Sequence, residues 1–310
     1  MKEISGIHLS VVVPVFQSAA GLKQLIDRLK IVLLGISSQV ELILVDDGSS
    51  DGSWDIIIKA AEDESFIKGI RFSRNFGQHQ AIAAGLGAAK GEWNVVMDAD
   101  LQDLPEEIPM MLNKARLGYD VVLARRTNRT DHWISRKITA IYYRVFYYMS
   151  GIKQDPDIGN FGVYSRSVIL NILKMQESTW YFPIMVHWVG FRQSTFNVTH
   201  GVSTNQKSNY LFASKFRMGL NTMLAFSDKP LRLLVKLGLI VALVGFLFAA
   251  VTLIRYFSGA IIVPGYASTV VSLWILFGFL LTTIGIVGLY VGKIFEGVKY
   301  RPRYIIDQKT

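Results

Sequence analysis

The sequence predicts an α/β domain of repeated βαβ units on a mostly parallel sheet, followed by two membrane-spanning helices. Three observations predict it. Short β-branched runs alternate with amphipathic segments through the first half of the chain. Acidic turns follow two of those runs, at the strand ends where open parallel sheets bind ligands. Apolar residues concentrate after residue 230 in a 310-residue chain that is 51% hydrophobic, with a mean hydropathy of +0.31.

The strands are read from "LSVVVPVF" beginning at Leu9, "VELILVDD" at Val40, "IRF" at Ile70, "WNVVMDAD" at Trp93 and "YDVVLARR" at Tyr119. Near-continuous apolar runs of this kind suit strands buried on both faces. Between them, residues 20–34 and 105–117 place apolar side chains at helical spacing. Residues 132–150 mix Trp, Tyr and Phe with Arg and Lys at the same spacing, and residues 208–228 mix Tyr and Phe with Lys and Arg. Beside membrane spans, such basic aromatic helices are expected in the interface.

Residues 232–254 contain one charge well inside the stretch, Lys236, close enough to the end to snorkel, and residues 268–292 contain none. Each is longer than the ~20 residues that cross a bilayer's hydrocarbon core. Only Arg255 lies in the connection, whereas Lys229, Arg232 and Lys236 precede or enter the first span and Lys293, Lys299, Arg301 and Arg303 follow the second. The positive-inside asymmetry therefore predicts residues 1–228 as a cytoplasmic domain, 229–294 as the two spans and 295–310 as a cytoplasmic tail.

The net charge of +9 is largely explained by that distribution, and a nucleic-acid partner is not expected. The chain has no cysteine, which excludes a disulfide framework and thiolate chemistry. The first residues lack the charged and apolar regions of a secretory signal.

The chemistry gathers at two acidic strand ends. In "VVMDADLQD", Asp98 and Asp100 stand two apart, and hard oxygen donors on a short turn suit magnesium or manganese with substrate phosphates completing the shell. Asp103, ahead of "LPEE", is expected to be a helix N-cap. In "VDDGSSDGS", Asp46 and Asp47 precede a turn through Gly48 and Gly52, and carboxylates there can accept bonds from a base N–H or from ribose hydroxyls. Ser50 or Asp51 is expected to cap the next helix. "GLGAAKG" at 85–91 follows a helix-like stretch and lacks G-x-G-x-x-G spacing, so a nicotinamide site is rejected. His79, His132, His187 and His200 show no ligand spacing.

The ordered set "VVVPVF", "VDDGSSDGS", "FSRNFGQHQAIAAGL", "DADLQD", "GYDVVLARR" and "RPRYII" resembles the family 2 glycosyltransferases that load a sugar onto a polyprenyl phosphate. The resemblance spans nearly the whole chain. It implies a GT-A catalytic domain with a Rossmann-like sheet, a nucleotide-sugar donor, Mg2+ or Mn2+, and an inverting transfer. Position by position, Pro14, Asp46 and Asp47 would line the nucleotide site, and Asp98, Asp100 and Gln102 would hold the metal on the diphosphate. Arg125 and Arg136 would grip the acceptor phosphate, with Arg126 and Lys137 as neighbours in reserve. Asp157, in "DIGNFGVYSR", would be catalytic.

The departures from the family pattern lie around the sugar and the acceptor phosphate: Asn160 stands where glucosyl-type relatives often have Asp, Gly162 replaces a common Arg, and "HGVSTNQKSNY" lacks the Arg and Gly usually found before its K-S-x-Y part. The expected partners are a UDP-sugar, undecaprenyl phosphate and the lipid bilayer of a bacterial plasma membrane. The resemblance leaves room for a homo-oligomer, which the helices themselves do not settle. A processive polysaccharide synthase and a non-catalytic nucleotide-sugar scaffold are the competing readings. The first would want a Q-x-x-R-W motif and more spans, and neither is present.

Overall fold

The computed structural model of the protein describes residues 8–126, 144, 147–148, 155, 157–177, 180–199, 229–258, 265–299 and 301–310. They divide into two units. The first comprises residues 1–144, 152–212 and 301–310, and the second residues 145–151 and 213–300.

The first unit is built on an eight-stranded sheet. Its strands are β1 (Leu9–Val15), β2 (Val40–Asp46), β3 (Ile67–Phe72), β4 (Trp93–Val96), β5 (Val121–Arg126), β6 (Ile158–Ser165), β7 (Gln193–Val198) and β8 (Ile306–Lys309), in the order β7-β5-β6-β4-β1-β2-β3-β8. Pairings β1–β2, β1–β4, β2–β3 and β5–β7 are parallel, as expected. The sheet as a whole is mixed, because β6 runs antiparallel between β4 and β5 and β8 runs antiparallel along β3.

Helix α1 (Ala19–Ile36) buries Leu22, Leu25, Ile26, Leu29 and Leu33, the i, i+3, i+4, i+7 stripe of an amphipathic helix. These side chains share one core with Val11, Val13 and Val15 of β1. The alternate residue Val12 faces the opposite layer, where Gly85 of α3 (Gln78–Ala88) lies so close that a Cβ built on it would sit 2.3 Å from Val12 Cγ1. Helix α2 is Ser53–Asp63. The helix predicted at 105–117 is a 3-10 turn, Pro105–Glu107, leading into α4, Ile108–Ala115. Among its described residues this unit also contains helices α5 (Arg166–Lys174) and α6 (Phe182–Trp188).

Pro14 sits inside a central strand, normally a poor place for a residue without an N–H. The β1–β4 ladder ends at Val12–Val96 with the Met97 amide donating to the Val12 carbonyl, so the missing donor of Pro14 falls on the side where pairing has stopped.

In the second unit, α7 (Lys229–Phe257) and α8 (Tyr266–Val298) are two long helices over the predicted spans. Among the described residues, one stretch, Ile275–Phe295, is long and apolar enough to cross a membrane by length and composition. The expected interfacial segments lie almost wholly outside the described residues.

Candidate active site

The carboxyl ends of β1, β2 and β4, neighbours in the sheet, form one rim. Side-chain bonds knit its first two loops together. Gln17, at φ +50°, donates its amide to Ser49 Oγ at 3.0 Å and its Nε2 to Ser50 Oγ at 3.0 Å. Asp51 accepts the Ala19 amide at the start of α1 on Oδ2 (2.9 Å), and the Ser53 amide and hydroxyl on Oδ1. The expected cap residue thus serves two helix starts, while the residue preceding α2 is Gly52 at φ +86°.

Asp46 ends β2 and Asp47 follows it, both fully buried, and burial pushes both carboxyls above their usual range. Asp47 donates its amide to the Val15 carbonyl and accepts the Phe76 and Gly77 amides at 2.7 and 2.9 Å, fixing the loop that opens α3. Asp46 Oδ1 accepts the Ser49 amide at 3.1 Å. Its Oδ2 carries no hydrogen bond and faces Arg71 Nε at 3.5 Å. Gly48 is required at this turn, since its φ is +73° and a Cβ would lie 2.7 Å from the backbone of Arg74.

Beyond β4 the chain turns sharply. Leu101 takes φ +63°, costly for a side chain with a Cβ, while burying that side chain in the core. Asp98 Oδ1 accepts Gln78 Nε2 at 2.7 Å and Asn160 Nδ2 at 3.4 Å. Asp100 Oδ1 accepts the Gln102 amide at 3.0 Å.

Asp103 is not the predicted N-cap. Leu104 precedes the 3-10 turn, and the Asp103 carboxylate accepts the Asp98 amide at 3.2 Å and Arg126 Nη2 at 3.3 Å. The carboxylate turns inward because Arg126 approaches from the end of β5, and Gly159 leaves room for that guanidinium: a Cβ there would be 3.3 Å from Nη2. Burial, then Asp103, then Asp100 raise the Asp98 carboxyl, while Asn160 and Arg126 oppose them. Asn160, the departure from the family pattern, adds a donor where an Asp would have added a further negative charge.

Asp98 and Asp103, with Asp100 beside them and a single arginine, Arg126, opposing them, leave negative charge that a divalent cation would relieve. Two of them, Asp98 and Asp100, are what magnesium or manganese takes from a protein when phosphates and water complete the shell, so the donor set fits. Among the described residues no group of three or more His, Asp and Glu side chains forms a ready-made metal cage. Gln102 is seen as a turn residue through its amide.

The second half of the site gathers at the end of β5. Arg125 Nε pairs with Asp155 Oδ2 at 3.2 Å, the Asp157 amide donates to Asp155 Oδ1 at 3.0 Å, and the Arg126 amide donates to the Asp157 carbonyl at 3.0 Å. Asp157 is thereby tied through Arg126 to Asp103 and Asp98. Arg136 lies outside the described residues. Gln78 and the Arg126–Asp103 pair were not singled out by sequence reasoning; Gln78 lies inside a motif that could have pointed to it.

A mixed sheet presenting two acidic strand ends on one rim is the architecture of a nucleotide-binding α/β domain. The chain belongs to glycosyl transferase family 2, whose model matches residues 10–173. It is 34% identical to an undecaprenyl-phosphate 4-deoxy-4-formamido-L-arabinose transferase of Photorhabdus laumondii, over 97% of this chain and 93% of that one. It is also 34% identical to the glycosyltransferase YkcC of Bacillus subtilis (strain 168), over 97% and 94%. In fold it is similar to glucosyl-3-phosphoglycerate synthase of Mycobacterium tuberculosis, with a TM-score of 0.53 at 18% identity, covering 72% of this chain and 81% of that one. A structure of that synthase with Mn2+ and UDP-glucose matches with a TM-score of 0.51 at 17% identity, covering 70% and 79%.

Proposed function

We propose that the protein transfers a sugar from a nucleotide-diphosphate sugar to a polyprenyl phosphate with inversion at the anomeric carbon. The observation that carries this is the hydrogen-bonded connection between the two halves of the site, from Asp98 through Asp103 and Arg126 to Asp157, with Arg125 and Asp155 alongside. The undecaprenyl-phosphate transferase among the relatives supports the choice of acceptor. The two long helices and their basic flanks support a chain that crosses a bacterial plasma membrane twice with residues 1–228 on the cytoplasmic side.

Asp46 and Asp47 receive the nucleoside, for which we take uridine, the base of the donor crystallised with the fold neighbour. Magnesium or manganese on Asp98 and Asp100, when bound, supplies positive charge to the leaving diphosphate. Arg125 and Arg136 hold the acceptor phosphate, and Asp157 orders the strand end that presents Arg125 and Arg126. A phosphate monoester with a second pKa of ~6 is already mostly dianionic at neutral pH, so no strong general base is required. Positioning by the arginines brings one phosphate oxygen in line with the anomeric carbon, and the nucleoside diphosphate departs from the opposite face.

The test is a donor panel on purified protein in detergent, with manganese or magnesium, following nucleoside diphosphate release with and without undecaprenyl phosphate. Release that requires the lipid and vanishes with chelator supports the proposal and identifies the sugar. Release without lipid, or into a growing polymer, overturns it.

A further inference from the structure

Residues 301–310, expected from the sequence as a tail, enter the first unit as part of its sheet. Strand β8 pairs with β3, and Thr310 closes its end by donating its amide to the Gly69 carbonyl while its Oγ1 accepts the Gly69 amide at 2.7 Å. From this short segment two separate lines of contact lead to the two carboxylates at the end of β2.

The first line begins at Tyr304, whose ring stacks on Phe72 at 5.0 Å and 11° between planes. Phe72 meets Phe76 edge-on at 5.7 Å, and the Phe76 amide is one of the two donors bound to Asp47. The second begins at Gln308, whose Oε1 accepts Trp54 Nε1 at 2.8 Å. Arg71 lies over the Trp54 ring at 5.9 Å and faces Asp46 Oδ2 at 3.5 Å. The segment thus supports both groups assigned to the nucleoside, and its strand covers a sheet edge that would otherwise be unpaired. Arg303 anchors the start of the segment by donating to the Met175 carbonyl.

We propose that residues 301–310 are a positioning segment for the nucleotide end of the site. They hold Asp47 and its loop through Tyr304, and Arg71 against Asp46 through Gln308. The inference rests on the reading of Asp46 and Asp47 as nucleoside ligands, and its residues touch no substrate themselves.

The experiment uses the full chain in detergent with Tyr304→Leu, Tyr304→Phe and Gln308→Leu. Two quantities are read: amide exchange at Phe76 and Gly77, and the Kd of UDP with Mn2+ by calorimetry. Tyr304→Leu is expected to speed exchange at those two amides about tenfold, with α4 as protected as in wild type. The same variant is expected to weaken UDP by about 5- to 10-fold, an effect typical of residues that act through others. Tyr304→Phe, which keeps the stack, should restore both.

Unchanged exchange at Phe76 and Gly77 in Tyr304→Leu overturns the proposal, as does faster exchange with unchanged UDP affinity. Should Tyr304→Leu not accumulate as folded protein, Gln308→Leu keeps the ring stack and loses the Trp54 bond, and wild-type UDP affinity in it overturns the proposal equally. Failure of wild type to bind any nucleoside diphosphate would instead strike the proposed function, and exchange alone would then decide whether the segment holds the loop.

Discussion

Arg126 and Asp103, 23 residues apart in the chain, meet at 3.3 Å beneath the acidic turn. Asp103 is almost wholly buried and has two acidic neighbours, so it depends on that guanidinium for its charge. Removing one partner of a buried pair leaves the other uncompensated. Arg126→Gln is expected to destabilise the fold by about 2–3 kcal/mol, below the usual range because the arginine is partly exposed. Adding Asp103→Asn should recover most of the loss, as read by chemical denaturation of both variants and the double variant.

Asp98 should give opposite signs in activity and stability. Its carboxyl is raised by burial and by Asp103 and Asp100, so its ionised form is disfavoured in the fold. Asp98→Asn is expected to reduce turnover by at least ~100-fold, and without divalent metal to melt no lower than wild type. Near-normal turnover would remove Asp98 from the metal.

His79 provides a pH dependence. Burial against Tyr181, 4.5 Å away, lowers it from 6.5 to about 4, and its Nδ1 has no partner. The unfolded chain takes up this proton below about pH 6.5 and the fold resists it until about 4, so the contribution to stability is complete above 6.5 and declines as pH falls through that window. His79→Phe keeps an aromatic ring beside Tyr181. The stability difference between wild type and variant should shift by about 1.4 kcal/mol for each pH unit inside the window, measured by denaturation from pH 7.5 to 4.5.

Gly48→Ala introduces a Cβ at φ +73°, against the backbone of Arg74 and Asn75 at 2.7 and 2.8 Å. The left-handed conformation alone costs about 1–2 kcal/mol with a side chain. Backbone neighbours cannot rotate away, so we expect a loss of at least about 2 kcal/mol by denaturation. UDP affinity should fall with it, because the loop held by Asp47 must move.

Strands β1, β2, β4 and β5 were legible because buried parallel strands write themselves as apolar runs. Strand β6, "IGNFGVYS", carries two glycines and an asparagine, which break the apolar run that marks the other central strands. Strand β8, "IDQK", is four mostly exposed residues whose identity as a strand comes from the edge of β3. The position of the acidic pairs at 46–47 and 98–100 was legible, since each follows directly on an apolar run that forms a strand. Asp103 was misread because a local pattern, aspartate two before proline, imitates a cap. The partner that decides its role comes from another strand, and no spacing rule reports it.

The Trp54–Gln308 bond joins residues 254 positions apart, and Gly69–Thr310 joins residues 241 apart. During synthesis, therefore, the edge of β3 waits unpaired while α7 and α8, the two long apolar helices, are made and delivered. The first unit reaches its final sheet only after those helices have left the ribosome, so its assembly is ordered in time: synthesis of the helices first, closure of the sheet afterwards.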